Sequence, residues 1–179
     1  MTSILIIGGG GMIGQKLAAS FGKNEKVSLL DVAFPEKSDL NATRIYGSIR
    51  DAKIMEKMLN SLPRTIFFLA SVVSGEAEEN FLKGWDVNVQ AFWGFLNNIK
   101  KLHVQSEGQY KPKVIFTSSI AVFGSPFPEK IPDNFLSAPR TSYGAQKVCC
   151  ELMLNDFIRK GFCEGLAVRL PTICVRPGK

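Results

Sequence analysis

Tyr143-Gly144-Ala145-Gln146-Lys147 sets a phenol and an ammonium group four residues apart. On a helix that spacing puts both on one face, a turn apart. An ammonium beside a phenol favours the phenolate and lowers a tyrosine from its reference near about 10. The pair is therefore expected to supply a general base usable close to neutral pH. Tyr-x-x-x-Lys also recurs on solvated helix faces, so its meaning depends on what stands around it.

Two further stretches carry chemistry. Gly8-Gly9-Gly10-Gly11-Met12-Ile13-Gly14 reads as G-x-G-x-x-G from Gly9, and as a wider spacing through Gly8, Gly11 and Gly14. In either register it lies between an apolar run and a helical pattern. Backbone N–H groups and the positive end of the helix dipole there suit a pyrophosphate, and glycine allows its close approach. Asp31 ends the next apolar run. A carboxylate at that place accepts hydrogen bonds from ribose hydroxyls and repels a 2′-phosphate, so NAD is expected over NADP, with no arginine beside Asp31 or within the glycine loop to reverse the preference. In Phe116-Thr117-Ser118-Ser119, hydroxyls close a buried strand. There they either face a ligand crevice or simply begin a turn.

The elements that must position these groups alternate. Apolar runs at 3–7, 27–31, 43–46, 65–70, 114–117 and 166–170 read as strands. Helical patterns fill 12–21, 51–62 (Ile54, Met58 and Leu62 on one face), 76–101 and 142–160, the last capped by Thr141 or Ser142. The segment 123–139 holds Pro126, Pro128, Pro132 and Pro139 and reads as an ordered loop. Alternation of this kind favours an α/β fold on a parallel sheet. The apolar run Phe92, Trp93, Phe95 and Leu96 reads as core or as the dimer face of a helix bundle.

Composition narrows the classes. The 179 residues suffice for one domain, and 45% hydrophobic with 21% charged residues is ordinary for a globular protein. The net charge of +6 comes from scattered Lys and Arg, and no nucleic-acid module is recognisable, so a nucleic-acid partner is not expected. Cys149, Cys150, Cys163 and Cys174 form no C-x-x-C pair and His103 is the single histidine, read as a surface residue. Reduced thiols in a cytoplasmic protein are expected, with no metal site. The N-terminus lacks the pattern of a signal peptide, and no segment is long enough to span a membrane.

Taken in order, Gly8-x-x-Gly11-x-x-Gly14, Asp31, Leu69-Ala70-Ser71, Asn88, Ser118-Ser119, Tyr143-x-x-x-Lys147 and Arg169-Leu170-Pro171-Thr172 resemble the extended short-chain dehydrogenases/reductases of the epimerase/dehydratase type. The resemblance implies a Rossmann-like doubly wound parallel sheet that binds NAD, with residues 1–179 forming the NAD-binding domain. It selects the wider glycine register. Tyr143 would be the acid/base, Lys147 would depress its pKa and bind the nicotinamide ribose, and Ser119 would position the reacting oxygen. Gly8, Gly11, Met12, Ile13, Gly14 and Asp31 would meet the cofactor from the first half of the fold. Ser48 and Ile49 would lie at the adenine, where the family often has Asp in place of Ser48. Leu69, Ala70, Asn88 and Pro171 would complete the cofactor contacts. Phe123 stands where many members have Tyr.

A closer resemblance, through Ala70 to Glu78, Pro126-Phe127-Pro128, Thr141 to Lys147 and Leu170 to Lys179, is to the subgroup that oxidises the C2 hydroxyl of D-erythronate with NAD. It adds Ser74, beside Ser119 and Tyr143, as a substrate contact. It implies a small sugar-acid substrate and a homodimer through a helix bundle. Nucleotide-sugar epimerases and dehydratases share the first hydride step, and a non-catalytic NAD-binding module is the remaining alternative. Extended members continue well past the position of Pro177-Gly178, so a C-terminal substrate-binding portion is expected to be missing from this chain.

Overall fold

A computed structural model describes residues 3–21, 25–36, 40–132 and 134–172. Cys174 and the 173–179 part of the subgroup resemblance lie outside them. Six parallel strands form one sheet in the order β3-β2-β1-β4-β5-β6. They are β1 (Ser3–Ile7), β2 (Lys26–Asp31), β3 (Thr43–Tyr46), β4 (Thr65–Phe68), β5 (Lys113–Ser119) and β6 (Glu164–Leu170). The helices are α1 (Met12–Ser20), α2 (Ala52–Leu59), α3 (Ser74–Glu79), α4 (Phe81–Gly84), α5 (Ala91–Gln105) and α6 (Ser142–Arg159). This is the doubly wound, Rossmann-like arrangement. The chain moves from β1 outward to β3, then returns to place β4 on the other side of β1. That reversal opens a crevice beyond the carboxyl ends of β1 and β4.

Alternate residues of β1 serve opposite faces. Leu5 and Ile7 join a large core with Met55 of α2, Phe92, Phe95 and Leu96 of α5, and Leu154 and Phe157 of α6. Ile4 and Ile6 join a smaller one with Ala18 of α1. Phe68, Phe92, Phe95 and Phe116 stack at the centre of the large core, with ring centroids 4.7 to 6.3 Å apart. Trp93 of the expected apolar run is half exposed instead, its ring edge-on to Phe157.

The helical reading of 51–62 overshoots. The helix ends at Leu59, and Leu62 is exposed with φ 51° rather than on the apolar face. Pro63 follows and disfavours helical backbone at the residue before it. The 76–101 pattern is likewise broken. Asn80 leaves the helical region between α3 and α4, and Trp85–Gln90 form a π-helical segment leading into α5. His103 is half-buried rather than a surface residue: its Nδ1 lies 3.0 Å from the Tyr110 carbonyl and its ring meets Phe162. No helix among the described residues is long and apolar enough to cross a membrane.

Candidate active site

The crevice at the β1/β4 reversal is a groove of about 470 Å³. Gly8, Gly11, Asp31, Ser48, Ile49, Leu69 and Ala70 all line it. The glycines differ in what they do. Gly8 has φ +87°, and a Cβ there would stand 2.6 Å from the Ala70 nitrogen. Gly14 packs on the Gly8 carbonyl, which a Cβ would approach to 2.4 Å. These two let the loop fold tightly against β4 and α1. At Gly11 an added Cβ would meet only the Gly8 carbonyl, at 3.5 Å, so it would project into the groove. Gly11 is also the N-cap of α1, and no side chain caps that helix end. Met12 and Ile13 form its first turn, half-buried. An uncapped helix N-terminus facing a groove kept clear by glycine fits a dinucleotide pyrophosphate.

Asp31 sits at the rim. Its carboxylate accepts from the backbone N–H of Gly10 at 2.9 Å and of Val32 at 2.7 Å, which fixes it beside the glycine loop. The Ser48 hydroxyl accepts from Arg50 N–H at 3.2 Å. Although no arginine neighbours Asp31 in sequence, the fold brings Arg50 to the wall of the same groove. Its charge is paired there with Asp86.

Beyond this groove, α6 carries Tyr143 and Lys147 along the carboxyl ends of β4 and β5. Thr141 caps the helix, its hydroxyl accepting from Gly144 N–H at 3.0 Å, and the Glu78 carboxylate accepts from Ser142 N–H. A Cβ at Gly144 would come within 2.2 Å of the Ala121 carbonyl. Glycine next to Tyr143 therefore lets α6 close on the turn that follows Ser119. Ser119 Oγ accepts from Ala121 N–H at 3.1 Å and caps that turn.

Lys147 is 2% exposed. Its Nζ donates to the Thr117 carbonyl at 2.8 Å and lies 4.7 Å from the Phe116 ring centre and 5.4 Å from that of Tyr143. Burial lowers its pKa to about 8, opposed by Cys150 and Glu151. The expectation for Tyr143 is reversed here. Burial holds its phenol above the ordinary value, and the group that opposes this is the Ser71 side chain, which hydrogen-bonds it. Lys147 thus donates to a carbonyl and lies near two aromatic rings, one of them that of Tyr143.

The sequence matches the NAD dependent epimerase/dehydratase family over residues 4–176. The chain belongs to that family. It is 36% identical to the D-erythronate dehydrogenase of Cupriavidus necator, covering 99% of this chain and 57% of the relative. Against the D-erythronate dehydrogenase of Haemophilus influenzae it is also 36% identical, covering 98% and 56%. The crystal structure of the nucleoside-diphosphate-sugar epimerase from Agrobacterium tumefaciens superimposes with a TM-score of 0.89 at 42% identity, covering 99% of this chain and 55% of that one. The chain thus spans a little over half the length of the relatives it matches. The family's cofactor is NAD, and the groove has the shape and backbone donors for it.

Within this epimerase/dehydratase domain, not every expected residue reaches the groove. Asn88 is buried behind it. Its Oδ1 accepts from Val72 N–H at 2.7 Å, and its Nδ2 donates to the Val72 carbonyl at 3.1 Å and to Gln146 at 2.7 Å. With its amide so occupied, Asn88 shapes the loop after β4 rather than offering a free group to a ligand. Pro171 follows β6, exposed and outside the groove lining, and Ser74 is exposed at the start of α3. Ser118, the neighbour of Ser119, is buried with its hydroxyl donating to Glu151. No motif in the sequence marks Ser71 or Glu151 as a site residue. Glu151 was visible in principle, since it stands one turn beyond Lys147 as Lys147 does beyond Tyr143.

Proposed function

We propose that this chain is the NAD-binding domain, residues 1–179, of a dehydrogenase that oxidises the C2 hydroxyl of a short sugar acid such as D-erythronate to the 2-keto acid. One observation carries the reading: α6 sets the Tyr143 ring 5.4 Å from the buried Lys147 ammonium, and Ser71, whose side chain acts on the Tyr143 phenol, is a residue of the groove wall. The likeness to two D-erythronate dehydrogenases supports a sugar-acid substrate. Tyr143, as phenolate, takes the proton of the C2 hydroxyl while the C2 hydride leaves. NAD, when bound, supplies the hydride acceptor. Ser119 would hold the reacting oxygen, and Lys147 would help to hold the nicotinamide ribose. Because burial favours the neutral phenol, oxidation is expected to quicken as pH rises and more Tyr143 ionises. Ser74 is proposed as a substrate contact.

The 42% identical structure is named an epimerase, which favours a second reading: the hydride is removed from a nucleotide sugar and returned. Steady NADH formation with D-erythronate, and none with nucleoside-diphosphate sugars, supports the dehydrogenase. Sugar inversion without net NADH sinks it in favour of the epimerase. NAD binding without turnover of either substrate class leaves the domain as a binding module.

Two copies are proposed to pair through the outer faces of α5 and α6, where Trp93 and Leu152 are 49% and 65% exposed. Light scattering at a monomer mass would refute the pairing. A cytoplasmic setting is proposed with this reading, from the sequence alone.

A further inference from the structure

Behind the Tyr143–Lys147 pair lies a set of buried polar groups to which the reaction just described gives no part. Glu151 is 6% exposed and Ser118 is 3% exposed. The Ser118 hydroxyl donates to Glu151 Oε1. Arg169 of β6 grips the same carboxylate, with Nε 3.0 Å from Oε1 and Nη2 2.7 Å from Oε2. Strand pairing sets this up, because Arg169 is the register partner of Ser118 across β5 and β6. Arg169 Nη2 also donates to Ser137 at 3.2 Å, and its guanidinium lies 4.8 Å from the Phe123 ring centre. The carboxylate is thus fixed from two strands, one helical turn beyond Lys147.

We propose that Glu151 is a positioning residue for Lys147: its clamped carboxylate is the counter-charge that keeps the buried ammonium protonated and aimed along β5. The inference rests on the reading that Tyr143 and Lys147 serve a dinucleotide-dependent proton transfer. A buried ammonium without an anion nearby sheds its proton. Around Lys147, β5 offers a carbonyl and the Phe116 face, neither of which is ionisable. The neighbouring π-helical segment offers neutral Asn88, whose carbonyl accepts from the Cys150 thiol. From α6 itself come Tyr143, Cys150 and Glu151, and burial drives the Cys150 thiol up to about 12, so it is neutral. Glu78 of α3 is engaged with Ser142 in the first turn. Arg169 acts on Lys147 through Glu151 and with the opposite sign. Of these groups, Glu151 is the one carboxylate fixed a single helical turn from Lys147 on the same helix.

The test is an NMR titration of protein labelled with carbon-13 at the lysine ε position, with the Lys147 signal assigned by its loss in Lys147→Met. Wild type is expected to titrate near about 8. Glu151→Gln should move the midpoint down by about one pH unit or more, and Glu151→Asp should restore most of it. Arg169→Gln, which leaves the carboxylate unopposed, should move it up. An unchanged midpoint in Glu151→Gln, or shifts of the same sign in the Glu151→Gln and Arg169→Gln variants, overturns the proposal. If Glu151→Gln does not fold, the direction in Arg169→Gln decides alone. NADH binding to the same samples, read by tryptophan fluorescence, should weaken in Glu151→Gln about fivefold near pH 8 for a one-unit shift and be close to wild type near pH 6. Equal weakening at both pH values would mean a purely structural role and overturns it too. Failure of wild type to bind NADH would instead sink the oxidoreductase reading and leave the lysine titration standing as measured.

Discussion

The groove above β1 and β4 presents backbone to its ligand, whereas the inner face of α6 presents side chains, among them the buried ionisable groups of Lys147, Cys150 and Glu151. The groove works by what is absent: Gly8 and Gly14 let the chain close up, and Gly11 keeps a helix end clear. The α6 site works by what is present, a phenol, an ammonium and a carboxylate at successive turns, all removed from water to different degrees. Damage to the first should therefore appear as lost folding or lost cofactor affinity. Damage to the second should appear as lost rate and altered pH dependence.

The largest expected effect separates the two regions directly. Tyr143→Phe removes the proposed proton acceptor and the group on which Ser71 acts but leaves every glycine in place. Turnover should fall by about 100-fold or more, with NAD affinity changed by less than about threefold. Calorimetric titration beside a rate assay measures both. A parallel collapse of NAD binding would show that the two regions are not separable.

Within the groove, Gly8→Ala and Gly11→Ala should part company. Alanine at 8 combines φ +87° with a Cβ 2.6 Å from backbone, and should destabilise by about 3 kcal/mol. Alanine at 11 meets nothing closer than 3.5 Å and should leave the melting temperature nearly unchanged while weakening NAD at least tenfold. Thermal melts of the two variants, with and without NAD, check this. Equal destabilisation would mean that Gly11 serves packing and not a ligand.

Lys147→Met tests the cost of burying charge. The folded pKa near about 8 lies below the ordinary 10.5, so between those values the unfolded chain binds more protons. The penalty of the buried ammonium is thus full below pH 8 and disappears as pH rises through 10.5. The variant should be more stable than wild type by about 2–3 kcal/mol at pH 7, with the gap narrowing between pH 8 and 10.5. Cys163, held up to about 11 by burial alone, weakens both proteins alike as pH climbs past 9. Cys150, held up to about 12 by burial and eased by Lys147, rises further in the variant, so the difference is followed in urea unfolding below pH 9. Activity should be lost as stability is gained.

The two regions also differ in how far they could be read from the chain. Gly8, Gly11 and Gly14, with Asp31 at the following strand end, announce the groove because only glycine permits that backbone, and a strand-turn-helix leaves a local trace in sequence. Tyr143 and Lys147 were visible by spacing. Their environment was not, since it depends on register: nothing near Arg169 in sequence says that it pairs with Ser118 and reaches Glu151. The same limit hid Arg50 from Asp31, and it hid the bonds by which Asn88 braces Val72. The reversed shift at Tyr143 has one cause too. Spacing places an ammonium near a phenol, but it does not say how much water either group loses.

The smallest effect addresses how α6 is held. Thr141 Oγ1 caps the helix through Gly144 N–H, while Glu78 from α3 binds the neighbouring Ser142 N–H. Thr141→Ala should cost about 1 kcal/mol, as loss of a single N-cap does. Two outcomes for turnover are distinguishable. If the first turn is held mainly by Glu78 and by the contact of Gly144 with Ala121, the rate constant in Thr141→Ala stays within about twofold of wild type, and only urea unfolding reports the change. That is the expected result, because the backbone of Gly144 lies against Ala121 with no room for a methyl group and cannot shift inward. A rate loss much larger than the stability loss would show that the cap itself aims Tyr143. The α6 site would then depend on local backbone geometry, as the groove does, and the contrast between the two regions would be one of degree.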